Sequence, residues 1–353
     1  ALEILGLGLG FDTTAKHAAT AGFVKWLCSG AFFGVALYIL YSARHHLRYI
    51  WQVATGQAPP PPPGSELMSY RVAFWGLIAS FLVIVAWSAW AGMDWWLAGV
   101  VFAIYLLVQG LVMARCTAEG GLLITEGCFT PMDVVTMEKY SLLTPRNLTA
   151  MAFLDAMLFR DLRGITLTGY LDTQKLSDEV RLHRKTLFQT LLGGIVLAIV
   201  VAFAFQLWLP YQYGALNLYG YVYQRQPIQF FQENAPFMGG GGAETPVPAF
   251  RPLFFGLGFV MTLLLAWARA VWVGFPFHPL GFAVSTSYSI GTLWVPMFIA
   301  WAAKLITLRT GGLKAYRTVL NFFLGLLLGD FITGCIWPII GWILGIPTYS
   351  YMQ

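Results

Sequence analysis

Charged residues are scarce in this sequence, and their scarcity excludes a water-soluble globular domain. Asp, Glu, Lys and Arg make up 10% of the 353 residues, whereas soluble domains carry roughly 25%. Hydrophobic residues make up 58%, and the mean hydropathy is +0.67. The 21 Lys and Arg exceed the 16 Asp and Glu by a small margin and lie mostly in loops, so we expect no nucleic-acid binding.

Cysteine is also scarce, and it forms no ligand pattern. The cysteines are Cys28, Cys116, Cys128 and Cys335. They lack the Cys-x-x-Cys spacing and the neighbouring histidines that are typical of zinc sites. The sequence motifs of hydrolases, kinases and zinc proteases are missing as well. We therefore expect no bound metal, no cofactor and no enzymatic activity.

Long apolar runs are what the sequence has instead. A helix that spans a bilayer needs roughly 20 mostly apolar residues. Seven runs qualify: Gly22–Tyr41, Val72–Ala91, Trp95–Ala114, Thr186–Leu209, Pro252–Trp272, Leu280–Leu308 and Val319–Leu344. The 14 Trp, 16 Tyr and 27 Phe fit aromatic belts at two membrane interfaces. The sequence predicts an all-α polytopic transmembrane bundle of about seven spans, or the C-terminal part of a larger transporter-like fold.

The runs and loops divide the chain into four regions. They are residues 1–114 with helices 1–3 and a Pro-rich loop, 115–185 as a cytoplasmic or re-entrant helical region, 186–250 with helix 4 and an extracytoplasmic loop, and 251–353 with helices 5–7. The distribution of Lys and Arg predicts an outside N-terminus and a cytoplasmic Thr117–Lys185 region. The side of the 309–318 loop stays open. Balanced charges and interleaved apolar residues predict that Thr117–Lys185 folds against the bundle.

Ionisable and hydroxyl residues in or beside the apolar runs are the candidate site residues, because polar groups inside a membrane are costly and usually functional. The candidates for a substrate or ion pathway are His278, Ser285, Thr286, Ser287, Tyr288, Ser289, Lys304 and Asp330. Each has a structural alternative: an interfacial histidine, hydroxyls that join helices, or an ion pair of Asp330 with Lys304 or Arg269. Gly325 and Gly329 share a helix face, which predicts close helix packing.

Four stretches near the C-terminus carry a family resemblance. They are Phe277-His278-Pro279-Leu280-Gly281-Phe282, Ala300–Lys304, Gly311–Arg317 and Phe322–Asp330. Together they resemble a group of uncharacterised bacterial polytopic membrane proteins, which is more distantly similar to the oligopeptide-transporter superfamily. The match covers Arg251–Ile346, and Phe11–Leu209 looks like the preceding helices. The resemblance implies a transporter-like fold in the bacterial inner membrane and further helices upstream. It supplies no substrate.

Two functions remain open from the sequence. The first is a secondary transporter of a small solute or peptide, with its site built from Leu280–Gly291 and the seventh span. The alternative is a non-catalytic structural subunit of a larger membrane complex. The expected partners are the lipid bilayer, further copies of the chain or other membrane subunits, and a small-molecule or peptide substrate.

Overall fold

The computed structural model describes residues 22–62, 66, 68–122, 127–137, 143–159, 166–180, 182, 184–218, 220–225, 228 and 250–346. Within these ranges the chain is helical and contains no strand. The α-helices are α1 Gly22–Ser42, α2 Arg44–Ala54, α3 Tyr70–Trp90, α4 Trp95–Ile104, α5 Leu111–Gly120, α6 Pro131–Val135, α7 Pro145–Leu154, α8 Thr166–Glu179, α9 Arg184–Tyr213, α10 Phe250–Val271, α11 Pro279–Val284 and α12 Tyr288–Leu344. π-Helices at Tyr105–Gly110, Asp155–Phe159 and Tyr221–Arg225 and a 3₁₀ turn at Ala215–Asn217 interrupt or connect them.

Six of the described helices are long and apolar enough to cross a membrane. They are Phe23–Ser42, Tyr70–Trp90, Trp95–Gly120, Thr186–Tyr213, Phe250–Val271 and Leu293–Gly341. The last is 49 residues long, which at about 1.5 Å per residue exceeds twice the roughly 30 Å hydrocarbon thickness. These helices confirm the predicted all-α multi-pass architecture.

The sixth span contains a break at Gly312, which explains the difference from seven predicted spans. Gly312 has φ 61° and ψ −158°, so α12 is two helices joined at a kink. The Lys304 ammonium lies 5.8 Å from the centre of the Tyr316 ring across this kink. Twelve residues of straight helix would separate these residues by about 18 Å, so the contact requires a bend. Counted as two helices, α12 brings the total to seven.

The chain forms two compact units, 1–291 and 292–353. In the first unit, α1 packs against α10, α11 and the helix formed by α4 and α5. Phe32, Val35, Val112 and Ala283 lie at the centre of this core and are almost completely buried.

Glycine allows α1 and α10 to approach until their backbones touch. A methyl group at Gly30 would collide with the Phe255 carbonyl, and one at Gly258 would collide with the Leu27 carbonyl. A methyl group at Gly34 would crowd Thr262, which is fully buried. Small residues at such spacing are the usual means of close helix packing in membranes.

Part of the region between α5 and α9 folds back along the bundle. The Asp94 amide donates to the Asn147 side chain at 3.0 Å, and the Asn147 amide donates to the Asp94 carboxylate at 2.7 Å. These bonds fix the start of α7 at the tight turn between α3 and α4. The Phe159 ring then lies 5.6 Å from Phe102 and 5.0 Å from Tyr105. The prediction that this region folds against the bundle is confirmed for residues 143–159, while its cytoplasmic side stays a prediction.

Candidate functional site at two interruptions in the bundle

Helix α11 is short, and local sequence explains both of its ends. His278 precedes it with an extended backbone, and its Nδ1 accepts a hydrogen bond from the Leu280 amide at 3.1 Å. Pro279 occupies the first helical position, where its missing N–H costs nothing. At the other end the Ser285 hydroxyl donates to the Phe282 carbonyl at 2.8 Å. Ser287 then accepts from the Ile290 amide at 3.3 Å and starts α12.

The hydroxyl break, residues 285–287, therefore separates α11 from α12. Its hydroxyl groups satisfy backbone groups that a helix end leaves without partners. The break lies alongside α1, because the Cys28 Sγ is 4.0 Å from the Ser285 Oγ. Cys28 belongs to the first third of the span Phe23–Ser42. The sequence placed a hydroxyl-rich patch here, and the structure puts it at a helix interruption beside a spanning helix.

The irregular segment, residues 127–130, is a second interruption, and it also lies beside α1. The Phe129 ring packs 5.4 Å from Phe32, near the middle of the span Phe23–Ser42. The Phe129 carbonyl accepts a 2.6 Å hydrogen bond from the amide of Gln109, which is fully buried. Irregular backbone at membrane depth is stable only where protein or water satisfies it, and Gln109 does so here.

Gln109 itself lies in a distorted part of its helix. The span Trp95–Gly120 changes from α- to π-helix over Tyr105–Gly110. Such single-turn π-bulges occur often at functional sites. The Gln109 Oε1 has no hydrogen-bond partner among the described residues, so the site contains a buried acceptor that a ligand or water can use.

An ion pair joins the irregular segment to the start of α1. The Lys25 ammonium donates to Asp133 at 2.8 Å, and the two side chains are 25% and 28% exposed. Asp133 also accepts from the Thr130 amide at 2.8 Å and forms a capping box that starts α6. Burial alone would raise the pKa of Asp133, but the Lys25 charge and these hydrogen bonds outweigh it and lower that pKa. Asp155, which is buried, lies within electrostatic range of Lys25.

Two thiols and a hydroxyl lie where the two interruptions meet. The Cys128 Sγ is 3.9 Å from the Lys25 carbonyl, and Thr286 lies close to both Cys28 and Cys128. Across the part of the chain that the structure describes, no three His, Cys, Asp or Glu residues are grouped to hold a metal ion.

His278 lies at a different place, in a charged cavity of about 510 Å³. The cavity is lined by Tyr38, Arg115, Glu119, Arg269 and His278 together with Val35, Ala266, Ala270, Pro279 and Leu280. It therefore lies at the ends of α1, α5 and α10 and at the start of α11. Helix α11 runs from this cavity to the hydroxyl break.

Of the remaining predicted residues, Lys304 and Asp330 belong to the second unit. Lys304 is exposed and contacts the Tyr316 ring. Asp330 is also exposed, and it is not without an interaction partner. The side chains of Tyr288 and Ser289 lie outside the described residues. Among the described residues of their unit, no atom lies within 4 Å of a methyl group added at Gly325 or Gly329. Their packing role stays a prediction.

Sequence reasoning missed Lys25, Asp133 and Gln109. Lys25 and Gln109 carried a usable signal, since each is a lone polar residue inside an apolar run. Asp133 carried none, because it lies in a stretch of mixed composition more than a hundred residues from its partner.

The fold and these interruptions define a multi-pass α-helical membrane protein with polar groups inside its bundle. The chain belongs to the family of unknown function DUF6785, whose model matches residues 1–353. Comparisons with curated proteins and with solved structures found no match. The family agrees with the expectation of an uncharacterised membrane-protein family.

Proposed function

We propose that the protein is a secondary transporter of a small solute or peptide in the bacterial inner membrane. The observation that supports this most is the meeting of two interruptions, the hydroxyl break and the irregular segment, beside spanning helices. Transporters build substrate and ion sites at interruptions in their helices, and the buried Gln109 Oε1, which has no partner among the described residues, is available to a ligand here. The distant resemblance to oligopeptide transporters favours the same function.

The Lys25–Asp133 pair gives this site an ionic character. Both side chains are partly exposed at the protein surface, which is what an exchange of partners requires. A cation or proton would compete with Lys25 for Asp133, and an anion would compete with Asp133 for Lys25. Such competition is a physical means of coupling ion binding to a change of helix packing.

One observation favours the alternative, a non-catalytic subunit of a larger membrane complex. The span Thr186–Tyr213 on α9 is the most apolar of the six, yet only 6% of it is buried. A helix that packs so little against the described part of the chain is available to a partner subunit as well as to lipid. The two proposals differ in whether the isolated protein moves a solute.

Reconstitution in liposomes tests the proposal. We would measure uptake of labelled amino acids, dipeptides, tripeptides and small carboxylates under imposed proton and sodium gradients. We expect uptake of at least one compound above that of empty liposomes, and loss of that uptake in Lys25→Met. The matched control is Lys175→Met, which removes an exposed lysine on α8 and should retain uptake.

Two results would overturn the transport proposal. The first is uptake equal to empty liposomes for every compound, with correctly inserted and folded protein. The second is uptake that Lys25→Met and Lys175→Met leave equally unchanged. Co-purification with other membrane subunits at a fixed ratio, together with the first result, would favour the structural-subunit function.

A further inference from the structure

The charged cavity collects its polar groups from four separate elements. Tyr38 comes from α1, Arg115 and Glu119 from α5, Arg269 from α10, and His278 from the turn before α11. Its volume of about 510 Å³ lies within the roughly 300–1,000 Å³ of typical small-ligand pockets. Residues so distant in sequence meet here only because the ends of three helices converge.

The cavity contains more positive than negative charge. Arg115 donates to Glu119 at 2.7 Å and lies 5.5 Å from the centre of the Tyr38 ring. Arg269 makes no hydrogen bond and no ion pair with any described residue. Two guanidinium groups therefore face one carboxylate, and the excess positive charge is on Arg269.

His278 adds a conditional positive charge. Its Nε2 lies 3.8 Å from the Glu119 Oε2. Burial lowers the pKa of His278, and Arg269 and Arg115 lower it further, while Glu119 opposes them. The imidazole is therefore neutral at neutral pH, and it becomes a third cation in the cavity only in acid.

We propose that the charged cavity is an anion-binding site that holds an oxyanion, the carboxylate or phosphate of a small solute or of a lipid headgroup. The Arg269 guanidinium is the primary contact, because its planar donors match such groups in a bidentate way. Glu119 holds Arg115 in place across the cavity, so that the second guanidinium faces the same ligand. This inference goes beyond the transport proposal, because binding here requires no translocation.

Sulfate binding to the full chain in phosphatidylcholine nanodiscs tests the site, since the charge of sulfate is constant near neutral pH. Isothermal titration calorimetry should show saturable binding that Arg269→Gln weakens at least about ten-fold. Arg251→Gln is the matched control, because Arg251 lies at the opposite end of the same helix, near Trp26. Arg269→Lys keeps the positive charge but lacks the planar, bidentate donors of guanidinium, so it should weaken binding by a smaller factor.

A pH series separates the site from general charge attraction. Sulfate affinity should rise as pH falls below about 6.5, the ordinary pKa of histidine, because protonated His278 joins Arg115 and Arg269 against Glu119. His278→Gln should remove most of this rise.

A second arm distinguishes the source of the oxyanion. Nanodiscs that contain phosphatidylglycerol should weaken sulfate binding through competition if a lipid headgroup occupies the cavity, and should leave it unchanged if the site takes a soluble anion. Either result supports an anion site when Arg269→Gln is defective and Arg251→Gln is not. The inference is overturned by wild-type protein that binds neither sulfate nor phosphatidylglycerol, or by equal affinity in Arg269→Gln and wild type. A folded, transporting protein with that result would leave the transport proposal intact.

Discussion

Helices α1 and α9 are both long and apolar enough to span a membrane, but they are buried to very different extents. The span Thr186–Tyr213 on α9 is the more apolar, yet 6% of it is buried, while 61% of the span Phe23–Ser42 on α1 is buried. In lipid, apolar character does not bring helices together, because acyl chains are as apolar as leucine. Burial in this protein therefore follows a different property of the sequence.

That property is the combination of small residues and polar anchors. On α1, Gly30 and Gly34 admit the α10 backbone, and Lys25 bonds to Asp133. On α9, no atom of the described residues lies within 4 Å of a methyl group added at Gly193 or Gly194. Glycine spacing permits close packing, and it leads to packing only where a partner surface of matching shape is present.

The largest effect is expected where two backbones touch. Gly258→Leu should destabilise the protein by about 3 kcal/mol or more, since its side chain would enter the Leu27 backbone and core overpacking is costly. Thermal unfolding followed with a thiol-reactive dye reports this, because Cys28 and Cys116 are buried. Gly193→Leu on α9 is the control and should unfold near the wild-type temperature. Equal effects of both substitutions would contradict the comparison.

The ion pair that anchors α1 is expected to come next. Lys25→Met should cost about 2 kcal/mol, less than the roughly 3–5 kcal/mol for a completely buried pair, because both side chains are partly exposed. Lys25→Met combined with Asp133→Asn should recover part of this loss, because no unpaired charge remains. A double variant no more stable than Lys25→Met would argue against the pair as the cause.

The same pair gives the protein a defined acid sensitivity. The folded-state pKa of Asp133 is lowered, so its stabilising contribution is present above the unfolded pKa of about 3.9 and is lost as pH falls through the folded value. Wild type should therefore lose stability more steeply than Lys25→Met in a series of unfolding scans below pH 4. Parallel curves for the two proteins would refute this assignment.

Substitutions at two glycines of the second unit distinguish backbone strain from side-chain packing. Gly312→Ala should cost about 1–2 kcal/mol, because φ 61° and ψ −158° belong to a region nearly exclusive to glycine. Gly325→Ala should not destabilise a chain without partners, since an added methyl group meets no atom of the described residues of its unit and alanine favours a helix interior more than glycine does. Unfolding temperatures of both variants in detergent measure the difference. A larger loss in Gly325→Ala within membranes would indicate that a partner packs on that face.

The smallest effect is expected at the irregular segment. Gln109→Leu should cost about 1 kcal/mol, because the Phe129 carbonyl loses its donor while the side chain keeps a similar volume. Gln189→Leu, on the exposed helix α9, should have no comparable cost. Faster backbone amide exchange at residues 127–130 in Gln109→Leu, and not in Gln189→Leu, would locate the effect.

Sequence reasoning located the helix ends that depend on local chemistry. The hydroxyl-rich run around Ser285 and the proline after His278 mark helix ends by their own chemistry, so the interruption was visible in the sequence. Lys25 and Asp133 form one feature from two distant segments, and no local pattern connects them. Gly325 and Gly30 belong to the same kind of four-residue spacing, but only Gly30 meets another helix within its unit.

The sequence by itself determined the α-helical architecture and the approximate positions of the spans. Both follow from local physics, because a chain in hydrocarbon must satisfy its own backbone and must be apolar for about 20 residues. The tertiary structure decided which spans form the core, which polar groups meet, and that Arg115 and Arg269 share one cavity. These depend on shape matching and on contacts between distant segments, which helix-forming tendency and hydropathy do not encode.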